Sequence, residues 1–187
     1  MIRHWLIVFA LLVGAFGCGT RPAPLPILGT IPNFELTAET GEPFQGKSLA
    51  GQVWVADFIF TSCQGPCPRM SGLMRVIQKE LAGVQGVTLV SFTVDPDRDT
   101  PEVLAAYGKR YQAEPGRWRF LTGAKEALHR LSRDAFRLGD VDGGLNHSTR
   151  FVVVDRQGRI RGYYGTAEDG NWKQVVPDVR RLLEEKS

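Results

Sequence analysis

The sequence predicts one α/β domain built on a mixed, mostly parallel sheet with helices on both faces. Three observations predict it. First, Val53-Trp-Val-Ala-Asp-Phe-Ile-Phe60 and Val87-Thr-Leu-Val-Ser-Phe-Thr-Val94 are nearly unbroken apolar runs of strand length, the mark of strands buried on both faces. Second, Met70, Leu73, Met74, Ile77, Leu81 and Val84 fall between them at i, i+3, i+4, i+7, i+11 and i+14. That is one face of a helix, and a crossover helix makes the strands on either side of it parallel. Third, Asp155-Arg-Gln-Gly158 separates two late apolar runs as a hairpin turn does, which adds antiparallel strands to the same sheet.

The remaining elements follow in order. Phe34-Glu-Leu36 and Pro43-Phe44 flank Thr40-Gly41 as a short hairpin. Thr100-Pro101-Glu102 starts a helix, with Thr as cap and Pro at the first helical position. Arg117 to Thr122 alternates Trp118 and Phe120 as a shorter strand, and Ala124, Ala127, Leu128, Leu131 and Ala135 mark another helical face. Thr149 to Val154 and Ile160 to Tyr164 are the hairpin strands; a last helix runs to the C-terminus and either starts or kinks at Pro177. Asp57 interrupts the first buried strand, and a buried carboxyl needs a partner or a shifted pKa.

The N-terminus reads differently. Arg3 is followed by an unbroken apolar run from Trp5 to Phe16, which as a helix rises only about 18 Å, too short for a hydrocarbon core of about 30 Å. This is the pattern of a secretory leader. Ala15-Phe16-Gly17-Cys18 resembles a bacterial lipobox, with Ala15 where leucine is usual, and marks Cys18 for lipidation. Arg21-Pro22-Ala-Pro24-Leu-Pro26 then reads as a semi-rigid tether. The expected organisation is a leader at 1–17, a tether at 18–32 and the folded domain at 33–187, held on the extracytoplasmic or periplasmic face of a bacterial membrane. A net charge of +3 over 187 residues, with scattered Lys and Arg, excludes a nucleic-acid partner.

In a sheet of this type, ligands gather at the carboxyl ends of the strands. Cys63 and Cys67 lie just past the end of one buried strand and Asp95 just past the end of the next. The stretch Thr61-Ser-Cys63-Gln-Gly-Pro-Cys67-Pro68 feeds a helix, so both sulfurs face one spot if it is helical, and the positive helix end should stabilise a thiolate. A five-residue loop gives a structural disulfide little to constrain. If the fold returns His147 to the two cysteines, the three form a soft, open site suited to Cu(I) or Cu(II). Structural zinc would need a fourth ligand; His4 is in the leader and His129 lies off the apolar face of its helix. Met70 and Met74 sit on the core face as packing residues. Thiolate both binds metal and attacks disulfides, so these residues alone leave a metal site and a redox pair open.

Phe60-Thr61-x-Cys63-x-x-x-Cys67-Pro68, Val94-Asp95-Pro96-x-Arg98-Asp99-Thr100-Pro101 and His147-Ser148-Thr149 ahead of Val154-Asp155-x-x-Gly158 together resemble the SCO/SenC family over about residues 30 to 185. The resemblance implies a thioredoxin-like fold with an N-terminal β-hairpin extension on a membrane-tethered domain. It implies copper bound by Cys63, Cys67 and His147 and supplied to the binuclear copper centre of cytochrome c oxidase subunit II or another cuproprotein. Further partners would be a copper donor or a thiol reductant. Asp95 would support the ligands from behind or dock the partner. Two features depart from the family: Gln64-Gly65-Pro66 stands where many relatives carry an acidic residue, and a lipid-type anchor replaces the common transmembrane helix.

The resulting expectation is a metallochaperone rather than an enzyme. The alternative is a membrane-tethered thiol-disulfide oxidoreductase using Cys63 and Cys67 to keep cuproprotein cysteines reduced. Against it, the spacing is Cys-x-x-x-Cys, His147-Ser148-Thr149 stands where thioredoxins present a cis-proline, and Thr61-Ser62-Cys63 is one residue short of a peroxidase motif.

Overall fold

The computed structural model describes residues 23–138 and 149–185. In chain order the elements are β1 (Gly29–Thr30), β2 (Glu35–Ala38), β3 (Pro43–Gln45), β4 (Val53–Ile59), α1 (Pro66–Glu80), β5 (Val87–Thr93), α2 (Pro101–Arg110), β6 (Trp118–Thr122), α3 (Lys125–Arg130), β7 (Arg150–Val154), β8 (Arg159–Gly165) and α4 (Val175–Glu184). They form one sheet ordered β1-β8-β7-β4-β5-β6-β2-β3. β4, β5 and β6 are parallel, while β7, β8 and the β2–β3 hairpin are antiparallel. This is the mixed, helix-flanked sheet of a thioredoxin-like fold, with the expected N-terminal hairpin extension.

Every residue of β4 and β5 is buried, as their apolar runs require. On one face, Phe58 stacks on Phe92 with ring centroids 4.9 Å apart, and Phe136 closes on both at 5.1 and 5.5 Å. On the other face, α1, α2 and α4 pack together; Ser71 of α1 is 2.8 Å from the Tyr107 hydroxyl of α2, and α1 touches α4. Met70, Met74 and Ile77 of α1 are buried, which places the predicted apolar stripe in the core. Thr100 caps α2 through the Val103 N–H at 3.4 Å.

Three boundaries differ from the sequence reading. α3 is short and widens into a π turn over Leu131–Ala135, where the Phe136 N–H donates to the Leu131 carbonyl at 2.9 Å. The wider turn seats Phe136 in the aromatic cluster, which helical periodicity alone does not reveal. Pro177 is the third residue of α4, in the first turn where a missing N–H costs nothing, so it causes no kink. The segment expected as tether also enters the fold: β1 pairs with β8, and Ile31 is buried.

A buried ion cluster fastens that segment. The Arg161 guanidinium donates to Asp155 at 2.9 Å and Glu185 at 2.9 Å, and to the carbonyls of Leu25 at 2.7 Å and Pro26 at 3.2 Å. Burial pushes the Asp155 carboxyl up. Hydrogen bonds from the Arg159 backbone and from the Arg161 and Arg159 side chains outweigh it and hold the group below its ordinary value. That stabilisation is present above the unfolded carboxylate range and is lost as pH falls through the depressed folded value. Arg161→Met should leave Asp155 with Arg159 alone, strip Glu185 of its ion pair and cost about 3 kcal/mol. Thermal unfolding at neutral pH should show the melting point lowered by roughly 10 °C, and the deficit should shrink in acid.

Candidate metal site

The parallel register of β4 and β5 (Asp57 with Ser91, Ile59 with Thr93) delivers two loops side by side at the carboxyl ends of the strands. The Val94 N–H donates to the Ile59 carbonyl at 2.8 Å and keeps the strands together one residue further. Beyond that point the loops are joined by Asp99, whose carboxylate is buried. It accepts the Thr61 N–H at 3.1 Å, the Thr61 hydroxyl at 2.5 Å and the Thr93 hydroxyl at 2.5 Å. Thr61 is two residues before Cys63, so Asp99 sets where the cysteine loop begins.

Asp95 pairs through its side chain with the exposed Arg98 at 2.9 Å. Its carbonyl accepts the N–H groups of Arg98 at 3.1 Å and Asp99 at 2.9 Å, closing the turn that points Asp99 inward. Residue spacing cannot distinguish Asp95, Asp97 and Asp99; the one useful signal for Asp99 is its place directly before the Thr100-Pro101 cap.

α1 begins at Pro66, with Pro66 and Pro68 both in its first turn, where neither N–H is needed for helix bonds. Cys67 is its second residue and fully buried; Cys63 lies in the preceding loop, half-buried. The two are thus not on one helical face. The loop itself brings them close enough for Cys63 to raise the Cys67 pKa. Both are thiols here.

The helix start does not win the electrostatic contest at Cys67. Burial pushes its thiol well above the ordinary range; a Phe60 backbone hydrogen bond opposes this, and Cys63 and Asp57 add to it. Asp57 projects from β4 toward the same helical layer. It is fully buried, neither carboxyl oxygen meets a hydrogen-bond partner among the described residues, and burial lifts its pKa to about 7. Ser91, its register neighbour, acts in the opposite sense without cancelling this. Cys67 therefore faces a buried acid that disfavours its thiolate.

His147 and Cys18 lie outside the described residues. Among the described residues, no three His, Cys, Asp or Glu side chains gather into a metal cradle. The approach to residue 147 is nevertheless defined. β7 runs antiparallel to β4, so its first residue, Arg150, is at the cysteine end of the sheet. The Thr149 carbonyl accepts the Thr166 N–H at 3.0 Å and the Thr166 hydroxyl at 2.8 Å. The Thr166 carbonyl in turn accepts Arg69 Nε at 2.7 Å. Thr149 is two residues after His147 and Arg69 two after Cys67, so this relay binds the two segments together. A groove of about 630 Å³ lies between residues 30–36 and α3, with neither cysteine in its walls. His129 is half-buried with no partner for Nε2 among the described residues.

The model of the family described as SCO1/SenC matches residues 28–184. The chain belongs to the SCO1/SenC family. It is similar to a SCO1/SenC family lipoprotein from Bacillus anthracis, with 34% identity and a TM-score of 0.78 over 87% of this chain and 100% of that one. BsSco, described as a member of the Sco family of cytochrome c oxidase assembly proteins with a disulfide switch, gives 29% identity and a TM-score of 0.77 over 87% and 98%. A Stutzerimonas stutzeri protein provisionally described as copper-binding is 34% identical over 148 residues, 74% of this chain and 71% of that one.

Two outcomes test this construction. Asp99→Ala should strand the three donors it now accepts and cost about 3 kcal/mol in urea unfolding, whereas Asp99→Asn, which keeps one acceptor oxygen, should cost less. Asp57 titrates at about 7 folded and 3.8 unfolded, so its penalty is absent below the unfolded value, grows as pH rises, and saturates near neutrality. Between about pH 4 and pH 8 this should remove about 4 kcal/mol of wild-type stability. Asp57→Asn should abolish that slope in unfolding titrations; an unchanged slope would show that Asp57 ionises freely in the folded state.

Proposed function

We propose that this chain is a copper metallochaperone that binds the ion through Cys63, Cys67 and His147 and passes it to the binuclear copper centre of cytochrome c oxidase subunit II or another cuproprotein. The observation that carries the reading is the convergence of Cys63 and Cys67 at the carboxyl end of β4, beside the start of β7, close enough for Cys63 to raise the Cys67 pKa. Two adjacent sulfurs suit a soft ion, and imidazole extends the set to Cu(II). Three protein ligands leave one side open for exchange. The copper-binding description of the Stutzerimonas relative and the oxidase-assembly description of BsSco support the cargo and the recipient.

Loading must remove the Cys67 proton, and burial opposes leaving a thiolate there without a cation. The ion supplies that cation, so Cys67 is held neutral when empty and charged when loaded. Cys63, half-buried at the rim, is the sulfur that an incoming partner meets. The adjacent sulfurs still permit a reversible disulfide, in keeping with the switch described for BsSco.

No helix among the described residues is long and apolar enough to cross a membrane. The leader, lipidation at Cys18 and the proline-rich tether would therefore hold the domain on the extracytoplasmic face, as the B. anthracis lipoprotein supports.

The deciding experiment titrates the reduced protein with Cu(II) and follows thiolate-to-copper charge transfer. His147→Ala should lose most Cu(II) affinity while the two cysteines remain oxidisable to a disulfide. Equal affinity in the variant would remove His147 from the site. Rapid reduction of a model disulfide by the copper-free protein would favour the reductase instead.

A further inference from the structure

The edge of the sheet formed by β1 and β8 carries a patch that the metal site does not use. Ile27 is 58% exposed and Leu28 37% exposed, and Ile27 is the most exposed large apolar side chain among the described residues. Arg137 donates to the Leu28 carbonyl at 3.4 Å, which places its guanidinium beside them. Tyr163, half-buried on β8, donates to the Phe136 carbonyl at 3.0 Å and feels the charges of both Arg137 and Arg150. Both arginines are exposed, and among the described residues neither makes an ion pair with a carboxylate. Exposed aliphatics, a ring with a polar tip and unpaired arginines are the side chains that settle at a bilayer interface.

The chain's own path says what covers this patch. Residues 5–16 are continuously apolar and Cys18 is the lipidation candidate. The folded domain grips the chain as early as Leu25 and Pro26 through the buried Arg161 cluster. Only residues 19–24 separate the candidate anchor from that grip, a reach of about 20 Å even when fully extended. The first exposed apolar side chains after the grip are Ile27 and Leu28.

We propose that the β1–β8 edge, through Ile27, Leu28, Tyr163, Arg137 and Arg150, rests on the anionic lipid surface that holds the N-terminus. This rests on the membrane anchor advanced above. The aliphatic side chains enter the headgroup boundary and the arginines meet lipid phosphates. The buried grip of Arg161 on the tether transmits the anchor's position to this edge rather than to a free linker.

The test uses the full lipidated chain reconstituted into vesicles of phosphatidylcholine and phosphatidylglycerol whose acyl chains carry bromine. Leu28→Trp should gain quenching over wild type, and Val103→Trp, on the exposed side of α2, should gain none. Replacing phosphatidylglycerol by phosphatidylcholine should lower the quenched fraction, and Arg137→Gln and Arg150→Gln should each lower the docked-to-undocked ratio read from quenching about fivefold, with vesicle flotation unchanged. A chain that floats with vesicles but shows equal quenching at 28 and 103 overturns the docking face alone. A chain that does not float overturns the anchor and this proposal together. A fluorescence change at 28 that follows protein concentration rather than lipid assigns the patch to a second copy and overturns the lipid assignment.

Discussion

The parallel pairing of β4 with β5 is the constraint from which the rest of the molecule is built. Its register runs unbroken from Val53 with Val87 to Ile59 with Thr93, and every side chain along it is buried. Two strands locked this way must release their following loops at the same end and at the same height. That alone puts Thr61 within reach of Asp99, across 38 residues of sequence. A carboxylate buried at this junction is stable because three donors converge on it, and those donors are available only while the register holds. The position of Cys63 is therefore a property of the sheet, not of the loop that carries it.

How much of this is legible in the sequence depends on the range of the interaction. The buried strands, the crossover helix and the hairpin at Asp155–Gly158 are written in local periodicity and turn chemistry, and the structure follows them. β1 is a two-residue strand in a proline-rich stretch, stabilised by pairing with residues about 130 positions away, so no local pattern announces it. Arg161 is buried among Asp155, Glu185 and two carbonyls, a placement set by partners that no local pattern brings together. At the site, the sequence singled out both cysteines and Asp95 but not Asp99, because picking the buried carboxylate among three aspartates in five residues requires the turn geometry. It also credited the helix end with lowering a thiol pKa that burial in fact raises at Cys67. The lesson is one of magnitudes: a helix terminus contributes about a kilocalorie, whereas full desolvation of a thiolate costs several times that.

The two cysteines are unequal for the same reason. Cys67 belongs to the core face of α1, in line with Met70 and Met74, and Cys63 belongs to the rim. Asp57 accentuates the inequality by placing an acid rather than a base in the layer behind Cys67. Both effects disfavour a bare Cys67 thiolate, and a cation bound at the sulfurs would relieve them, which is why the proposed cargo is a soft cation.

The tether grip and the site meet in one geometric consequence. The residues held by Arg161 lie along the β1–β8 edge, while the cysteines lie at the carboxyl ends of β4 and β5, a quarter-turn away around the sheet. With that edge on the lipid, the strands run along the bilayer plane and the thiol end points sideways rather than outward into solvent. A recipient anchored in the same membrane would then meet Cys63 by lateral diffusion in two dimensions, with the height of the site above the lipid fixed by strand spacing instead of linker length. For a cargo exchanged through one open coordination position, restricting the approach in this way reduces the orientational search that usually slows protein association.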